Sequence, residues 1–109
     1  MGNKKKSDEI GIRGFGSISN LEADIMHIAW QKSNVSVREV HEILLKREME
    51  KKERDFIPYT TVMSTMASLA DRGYLLKNSD EKTYIYSPAM DSRELSKKLI
   101  SAAAEKLLS

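Results

Sequence analysis

Apolar residues recur at helical spacing after residue 19, and capping sequences mark where the helices start. Ser19-Asn-Leu-Glu22 is a capping box, in which a serine and a glutamate three residues later satisfy each other's backbone N–H groups. The apolar positions from Leu21 to Trp30 then lie on one face of a helix that ends near residues 32–34. Val35 could add a short extended piece.

A second helix is predicted after a second capping box, Ser36-Val-Arg-Glu39. Its apolar positions at helical spacing are Val37, Val40, Ile43 and Leu44. The stretch 46–55 is almost wholly charged, and its pattern fits either a solvated extension of this helix or a loop. Pro58 ends that stretch because the residue before a proline avoids helical backbone angles.

The third helix is predicted from about Thr60 to Arg72, with Gly73 placed for a left-handed C-terminal cap. Its buried stripe consists of Val62, Met66 and Leu69, with Thr65 beside it. The outward positions carry small hydroxyl side chains, where surface helices usually carry Lys, Glu or Arg.

Two short strands are predicted next, at 74–78 and 83–87, joined by a polar turn and closed by Pro88. Asp91 then caps a last helix over 92–108. The order of elements predicts a mainly α fold with a small antiparallel β-hairpin: a winged helix-turn-helix domain over 18–90 plus a C-terminal helix over 91–109. Residues 1–17 are predicted to form a mobile basic arm, either a disordered tail or a DNA-backbone contact.

Composition narrows the possible functions. A chain of 109 residues with 40% apolar residues supports one compact domain. It has no apolar run long enough to span a membrane, no signal-peptide pattern and no cysteine, so we expect a cytoplasmic protein without disulfides. The net charge of +2 comes from residues 1–13. Any basic surface on the remaining residues must therefore come from the way their balanced charges are arranged in space.

The hydroxyl-rich side of the third helix is the strongest candidate site. Thr60, Thr61 and Ser64 project away from the apolar stripe, and Met63 lies near them. Small polar side chains let a helix lie deep in the DNA major groove, where hydroxyls bond base edges or phosphates. An ordinary solvated helix face remains the alternative.

Phosphate contacts are predicted at two further places. Ser36 and Arg38 begin the second helix, whose free N–H groups and positive end favour a phosphate, although Ser36 could also act only as a cap. Lys82 in the turn of the hairpin, with Lys77 at its base, could meet phosphates beside the groove. The neighbouring acidic residues 80–81 oppose this contact.

The last helix carries an apolar seam longer than a small domain needs, formed by Leu95, Leu99, Ile100, Ala103 and Leu107. The seam either folds back on its own core or pairs with a second copy. We favour a homodimer because helix-turn-helix proteins bind two-fold sites as dimers.

No catalytic or metal-binding pattern is visible. His27 and His41 lie on different helices without a second ligand at metal-binding spacing, and no nucleophile triad or phosphate-binding glycine loop occurs. We expect neither an enzyme nor a cofactor. Two function classes remain: a DNA-binding regulator, and a winged-helix module that binds another protein. The neutral body and the acidic turn favour the second class.

Five motifs in order over residues 19–90 resemble the penicillinase-repressor family (BlaI/MecI type). They are Leu21-Glu-x-x-Ile-Met-x-Ile-x-Trp30, Val35-Ser-Val-Arg-Glu-Val40, Tyr59-Thr-Thr-Val62, Leu69-x-x-x-Gly-Tyr-Leu75 and Tyr84-x-Tyr-x-Pro88. The resemblance implies a dimeric repressor that occupies a double-stranded DNA operator and blocks transcription. It implies that the helix starting at Tyr59 reads the operator through Thr60, Thr61, Met63 and Ser64, with Lys82 as the basic residue of the wing.

The sequence departs from the family pattern in three places. The charged stretch 47–55 is longer than usual, and Ser68 and Asp71 stand where basic residues are common. The sequence ends at Ser109, before the further helices that carry a cleavage site in the family, so control by beta-lactam-triggered proteolysis is not carried over. The cysteine cluster of copper-responsive relatives is also absent.

Overall fold

A computed structural model describes residues 18–52, 55–78 and 84–108 of the chain. Within these ranges the chain forms four helices and three strands. They are α1 (Asn20–Lys32), β1 (Val35–Ser36), α2 (Val37–Met49), α3 (Tyr59–Asp71), β2 (Leu75–Asn78), β3 (Ile85–Pro88) and α4 (Ser92–Leu108). This order is that of a winged helix-turn-helix domain followed by a C-terminal helix, and the predicted fold class is confirmed.

Both capping boxes form as predicted. The Ser19 hydroxyl accepts from the Glu22 N–H at 3.1 Å, and the Glu22 carboxylate accepts from the Ser19 N–H at 2.8 Å. Ser36 and Glu39 make the same reciprocal pair at the start of α2, with distances of 3.1 and 2.9 Å. The Asp91 carboxylate accepts from the Glu94 N–H at 2.8 Å and caps α4. These side chains satisfy N–H groups that have no partner inside the helix.

The charged stretch between the second and third helices is partly helical. α2 continues to Met49, so the residues up to that point extend the helix, and the chain leaves it at Glu50. α3 begins one residue earlier than predicted, at Tyr59 with Pro58 as N-cap, and ends at Asp71. Gly73 has φ of +85°, the left-handed conformation that the sequence predicted after this helix.

The sheet has three strands, so the prediction of a two-stranded hairpin lacked one strand. β3 lies between β1 and β2, and both pairings are antiparallel. β1 adds only two residues, with Val35 opposite Tyr86. β3 also begins later than predicted and includes Pro88. Because β1 pairs only with residues 85 and 86, the missing N–H of Pro88 interrupts no hydrogen bond between β3 and β1. Residues 79–83, including the predicted turn, lie outside the described residues.

The core lies where the helices meet the sheet. It is formed by Ile25, Met26, Ile28, Ala29, Val35, Val37, Val40, Leu44, Val62, Met66, Leu69, Leu75, Tyr86 and Leu95. The Trp30 indole N–H donates to the Met90 carbonyl at 2.9 Å and ties α1 to the segment before α4. Among the described residues, no helix is long and apolar enough to cross a bilayer.

Met66 and Met63 provide a matched test of this packing, since both are methionines of α3. Met66 is fully buried, whereas Met63 is 45% exposed. We expect Met66→Ala to lower the free energy of unfolding by about 2–5 kcal/mol, because it leaves a cavity. Met63→Ala should change the same quantity by about 0.5 kcal/mol or less. Urea unfolding followed by the fluorescence of the single tryptophan measures both; equal losses would contradict the orientation of α3.

Candidate nucleic-acid interface

The outward side of α3 carries the predicted hydroxyl face, which we define as Thr60, Thr61, Met63 and Ser64. All four residues are exposed. On the opposite side, Val62, Met66 and Leu69 are fully buried in the core. The burial of this stripe therefore determines which side chains α3 presents to solvent, and three of the four in this face are small hydroxyl side chains.

Two hydroxyls of α3 bond back to the helix. The Ser64 hydroxyl donates to the Thr61 carbonyl at 3.2 Å, and the Thr65 hydroxyl donates to the same oxygen at 2.6 Å. Such bonds use the hydroxyl hydrogen but leave lone pairs on the oxygen. In this conformation Ser64 offers an outside ligand an acceptor rather than a donor. A guanine N7 or a phosphate requires a donor, so to bond either one Ser64 must turn its hydroxyl hydrogen away from the Thr61 carbonyl.

Two side chains of α2 hold the connection that leads into α3. The His41 ring nitrogen Nε2 lies 3.0 Å from the Ile57 carbonyl, and the ring meets the Tyr59 ring edge-on at 5.5 Å and 79°. One carboxylate oxygen of Glu48 accepts from the Asp55 N–H at 2.8 Å. Because Asp55 lies beside Glu48 and Ile57 beside His41, the chain runs back along α2 before α3 begins.

Neither role follows from the sequence pattern. His41 has no second ligand at metal-binding spacing, and Glu48 lies in a stretch that is almost wholly charged. The spacing contains one usable signal, since positions 41 and 48 are seven residues apart and share one helical face. That signal acquires meaning only once α2 is known to reach Met49.

The Glu48 carboxylate is the electrostatic centre of this connection. Its second oxygen accepts from the Lys51 ammonium at 2.8 Å, and the side chain is only 12% exposed. The hydrogen bond from Lys51, followed by that from the Asp55 N–H, lowers the pKa of Glu48 from its ordinary value of 4.5. The same hydrogen bond raises the pKa of Lys51. Both groups are thus favoured in their charged forms.

The far end of α3 is tied to α1 and to the residue before β2. The Arg72 guanidinium donates to a Glu22 oxygen at 2.6 Å and lies 5.1 Å from the centre of the Tyr74 ring. Glu22 uses its other oxygen in the α1 capping box. One carboxylate therefore joins the start of α1 to the end of α3, a link between α1 and α3 that the sequence analysis missed.

The residues at the start of α2 differ in their access to a ligand. Ser36 is only 8% exposed, because it is both a β1 residue and the cap of α2, and its hydroxyl accepts from the Glu39 N–H. Its hydroxyl serves as the cap of α2, and a phosphate contact by Ser36 stays a prediction. Arg38 is largely exposed and lies 4.0 Å from Glu42, a surface pair that binds it weakly.

The described part of the wing is its stem. The Lys77 ammonium lies 4.1 Å from the centre of the Tyr84 ring, a cation–π contact that joins β2 to the residue before β3. Lys82, the predicted phosphate contact, lies outside the described residues, as does the predicted arm over residues 1–17. Both stay predictions.

The predicted dimer seam of α4 divides into two groups. Leu95 is 3% exposed and belongs to the core of its own chain, and Leu99 packs against that core. Leu95 therefore has no surface to offer a second copy in this conformation. Ala103 is half-buried, whereas Ile100 and Leu107 are 68% and 77% exposed. Leu108, absent from the predicted set, is also exposed.

Comparisons with known proteins agree with the fold and the motifs. The family model described as penicillinase repressor matches residues 18–109. The protein named transcriptional regulator BlaI, from two strains of Mycobacterium tuberculosis, is 33% identical over 79 residues, covering 72% of this chain and 52% of that protein. The chain thus spans about half the length of these relatives.

A solved structure gives a further comparison. A transcriptional regulator from Thermotoga maritima is 19% identical to this chain and matches with a TM-score of 0.56, covering 94% of this chain and 66% of that one. At this identity the likeness shows the fold alone.

The lowered pKa of Glu48 predicts a pH-dependent contribution to stability. A carboxyl group whose pKa is lowered by folding stabilises the folded state above its unfolded pKa, and this contribution is lost as the pH falls through the folded value. Glu48→Gln should therefore reduce the free energy of unfolding at pH 7, and the gap to the wild type should narrow as the pH falls from the ordinary value of 4.5 through the lowered folded value. Urea unfolding between pH 7 and pH 3 measures the gap.

Glu50→Gln is the matched control, since Glu50 is an exposed carboxylate two residues further on. It should leave stability nearly unchanged over the same pH range. A gap for Glu48→Gln that stays constant with pH would show that the charge of Glu48 does not hold the connection.

Proposed function

The chain belongs to the penicillinase-repressor family, and we propose that it is a sequence-specific DNA-binding transcriptional regulator that represses by covering promoter DNA as a dimer. The observation that carries this proposal is the exposed hydroxyl face of α3, opposite three fully buried side chains. The curated relatives that match the chain are named transcriptional regulators, which supports the same function.

The dimensions of α3 suit the major groove. That groove is about 12 Å wide, and a helix with its side chains measures roughly 10–12 Å across. Small side chains on the groove side let the backbone approach the base edges. We assign base contacts to Thr60, Thr61, Met63 and Ser64, and in the proposal a Thr methyl or Met63 packs against a thymine methyl.

Phosphate contacts supply most of the affinity in this proposal. We assign them to Arg38, to the Tyr59 hydroxyl and to Lys82 of the wing. The Tyr59 ring is partly exposed and is braced by His41, so its position relative to α3 is defined. We place the protein in the cytoplasm, where promoter DNA is accessible.

A homodimer is the second part of the proposal. Ile100 and Leu107 lie on one side of α4 and are largely exposed in the single chain. Pairing two copies through this side removes apolar surface from water. It also relates two α3 helices by a two-fold axis, as binding to a palindromic operator requires.

The same exposed side of α4 favours one other function, a winged-helix module that binds a different protein and not DNA. A gel shift with DNA from upstream of the protein's own gene separates the two functions. Binding that weakens as salt is added supports the regulator. Absence of binding at low salt favours the interaction module.

Thr61→Ala tests base recognition by α3. We expect binding to DNA from upstream of its own gene to weaken by roughly 1–2 kcal/mol, because a base contact is lost, with little change on random duplex DNA. Fluorescence anisotropy on both duplexes measures the difference. Alanine is the better helix former, so a lost fold cannot explain the result.

Ser101→Ala on the exposed surface of α4 is the matched control and should bind both duplexes like the wild type. Equal losses on the two duplexes for Thr61→Ala would show that Thr61 does not read sequence.

Ile100→Glu tests the dimer. We expect the wild type to sediment as a dimer at micromolar concentration and this variant as a monomer, because a buried unpaired carboxylate is costly. Ser101→Glu places the same charge on the next residue, which points to another side of α4, and should remain dimeric. A monomeric wild type, or equal behaviour of both variants, would contradict this interface.

A further inference from the structure

α2 extends well past the point where α3 begins. His41 contacts both Ile57 and Tyr59, so the start of α3 lies beside His41. Met49, the last residue of α2, is eight residues further along the same helix. At 1.5 Å per residue, the end of α2 projects about 12 Å beyond this level. We call residues 46–52 the α2 overshoot.

The overshoot concentrates positive charge on a chain that is otherwise nearly balanced. Its seven residues include four cationic side chains, Lys46, Arg47, Lys51 and Lys52, and two carboxylates. One carboxylate, Glu48, is already paired with Lys51. Lys46, Arg47 and Lys52 are exposed, as is the carboxylate of Glu50, and the exposed carboxylate of Asp55 lies nearby.

The overshoot lies where the DNA backbone is expected to pass when α3 occupies the major groove. In helix-turn-helix proteins the recognition helix contacts bases near its N-terminus, and the preceding helix crosses the sugar–phosphate backbone. Here that preceding helix is α2, and its cationic end lies beyond the N-terminus of α3. We propose that the α2 overshoot is an accessory phosphate-contact surface that binds DNA backbone flanking the operator. This inference rests on the proposed DNA binding.

Contacts within the chain hold the described residues at the end of the overshoot. Glu48 accepts hydrogen bonds from the Lys51 ammonium and from the Asp55 N–H, and these bonds hold both residues beside the end of α2. His41 fixes the next part at Ile57. A surface that is already ordered loses less conformational entropy on binding than a loop that must first be ordered. Glu48 is thus a positioning residue for the overshoot, although its own charge is negative.

The test is the double variant Lys46→Gln/Lys52→Gln, measured by fluorescence anisotropy with duplex DNA from upstream of the protein's own gene. Affinity should fall roughly three- to tenfold, and the slope of log K against log salt should decrease by about 0.9 for each lost contact. Because phosphates carry no sequence, binding to a random duplex of equal length should weaken by the same factor. Thermal unfolding should be unchanged, since both side chains are exposed.

Lys97→Gln/Lys98→Gln removes the same charge from exposed positions of α4 and should leave affinity and salt slope close to those of the wild type. The inference would be overturned if the overshoot variant kept the wild-type affinity and salt slope, or if this control lost as much affinity. In either case, DNA binding by the wild type would leave the proposed function intact. A wild type that does not bind DNA would overturn both.

Discussion

The burial of three side chains on one edge of α3 is the constraint on which the rest of the structure depends. Val62, Met66 and Leu69 are fully buried, and together they fix the rotation of the helix about its axis. A helix turned by one residue would move about 100° and expose this stripe. The same packing that builds the core therefore selects the side chains that α3 presents to a ligand.

Polar contacts at the two ends hold α3 in place once its rotation is set. His41 fixes the residues before the helix, and the ion pair between Arg72 and Glu22 anchors its C-terminal end to α1. Pro58 provides no side-chain cap, so the start of α3 is held from α2 and not by its own N-cap. A helix held at both ends presents its surface in one orientation, which a sequence-reading surface requires.

Several polar residues serve two purposes in this small domain. Glu22 caps α1 and bonds α3, and Ser36 caps α2 while pairing in the sheet. Glu48 orders the connection after α2 and neutralises one lysine of the overshoot. In a domain of this size, one side chain that forms hydrogen bonds with two elements does the work of two separate side chains.

Elements whose cause is local can be predicted from the sequence. Capping boxes at Ser19 and Ser36, the apolar stripe of α3 and the glycine after it predicted the helices and their order, because each signal acts within a few residues. Features whose cause lies far away in the sequence become visible only in the folded chain. Periodicity could not choose between helix and loop for the charged stretch, and β1 became a strand because Val35 meets Tyr86 fifty-one residues away. Leu95 and Ile100 look alike in sequence, yet one is buried and one exposed. The position of the core relative to α4, which local pattern does not contain, is what separates them.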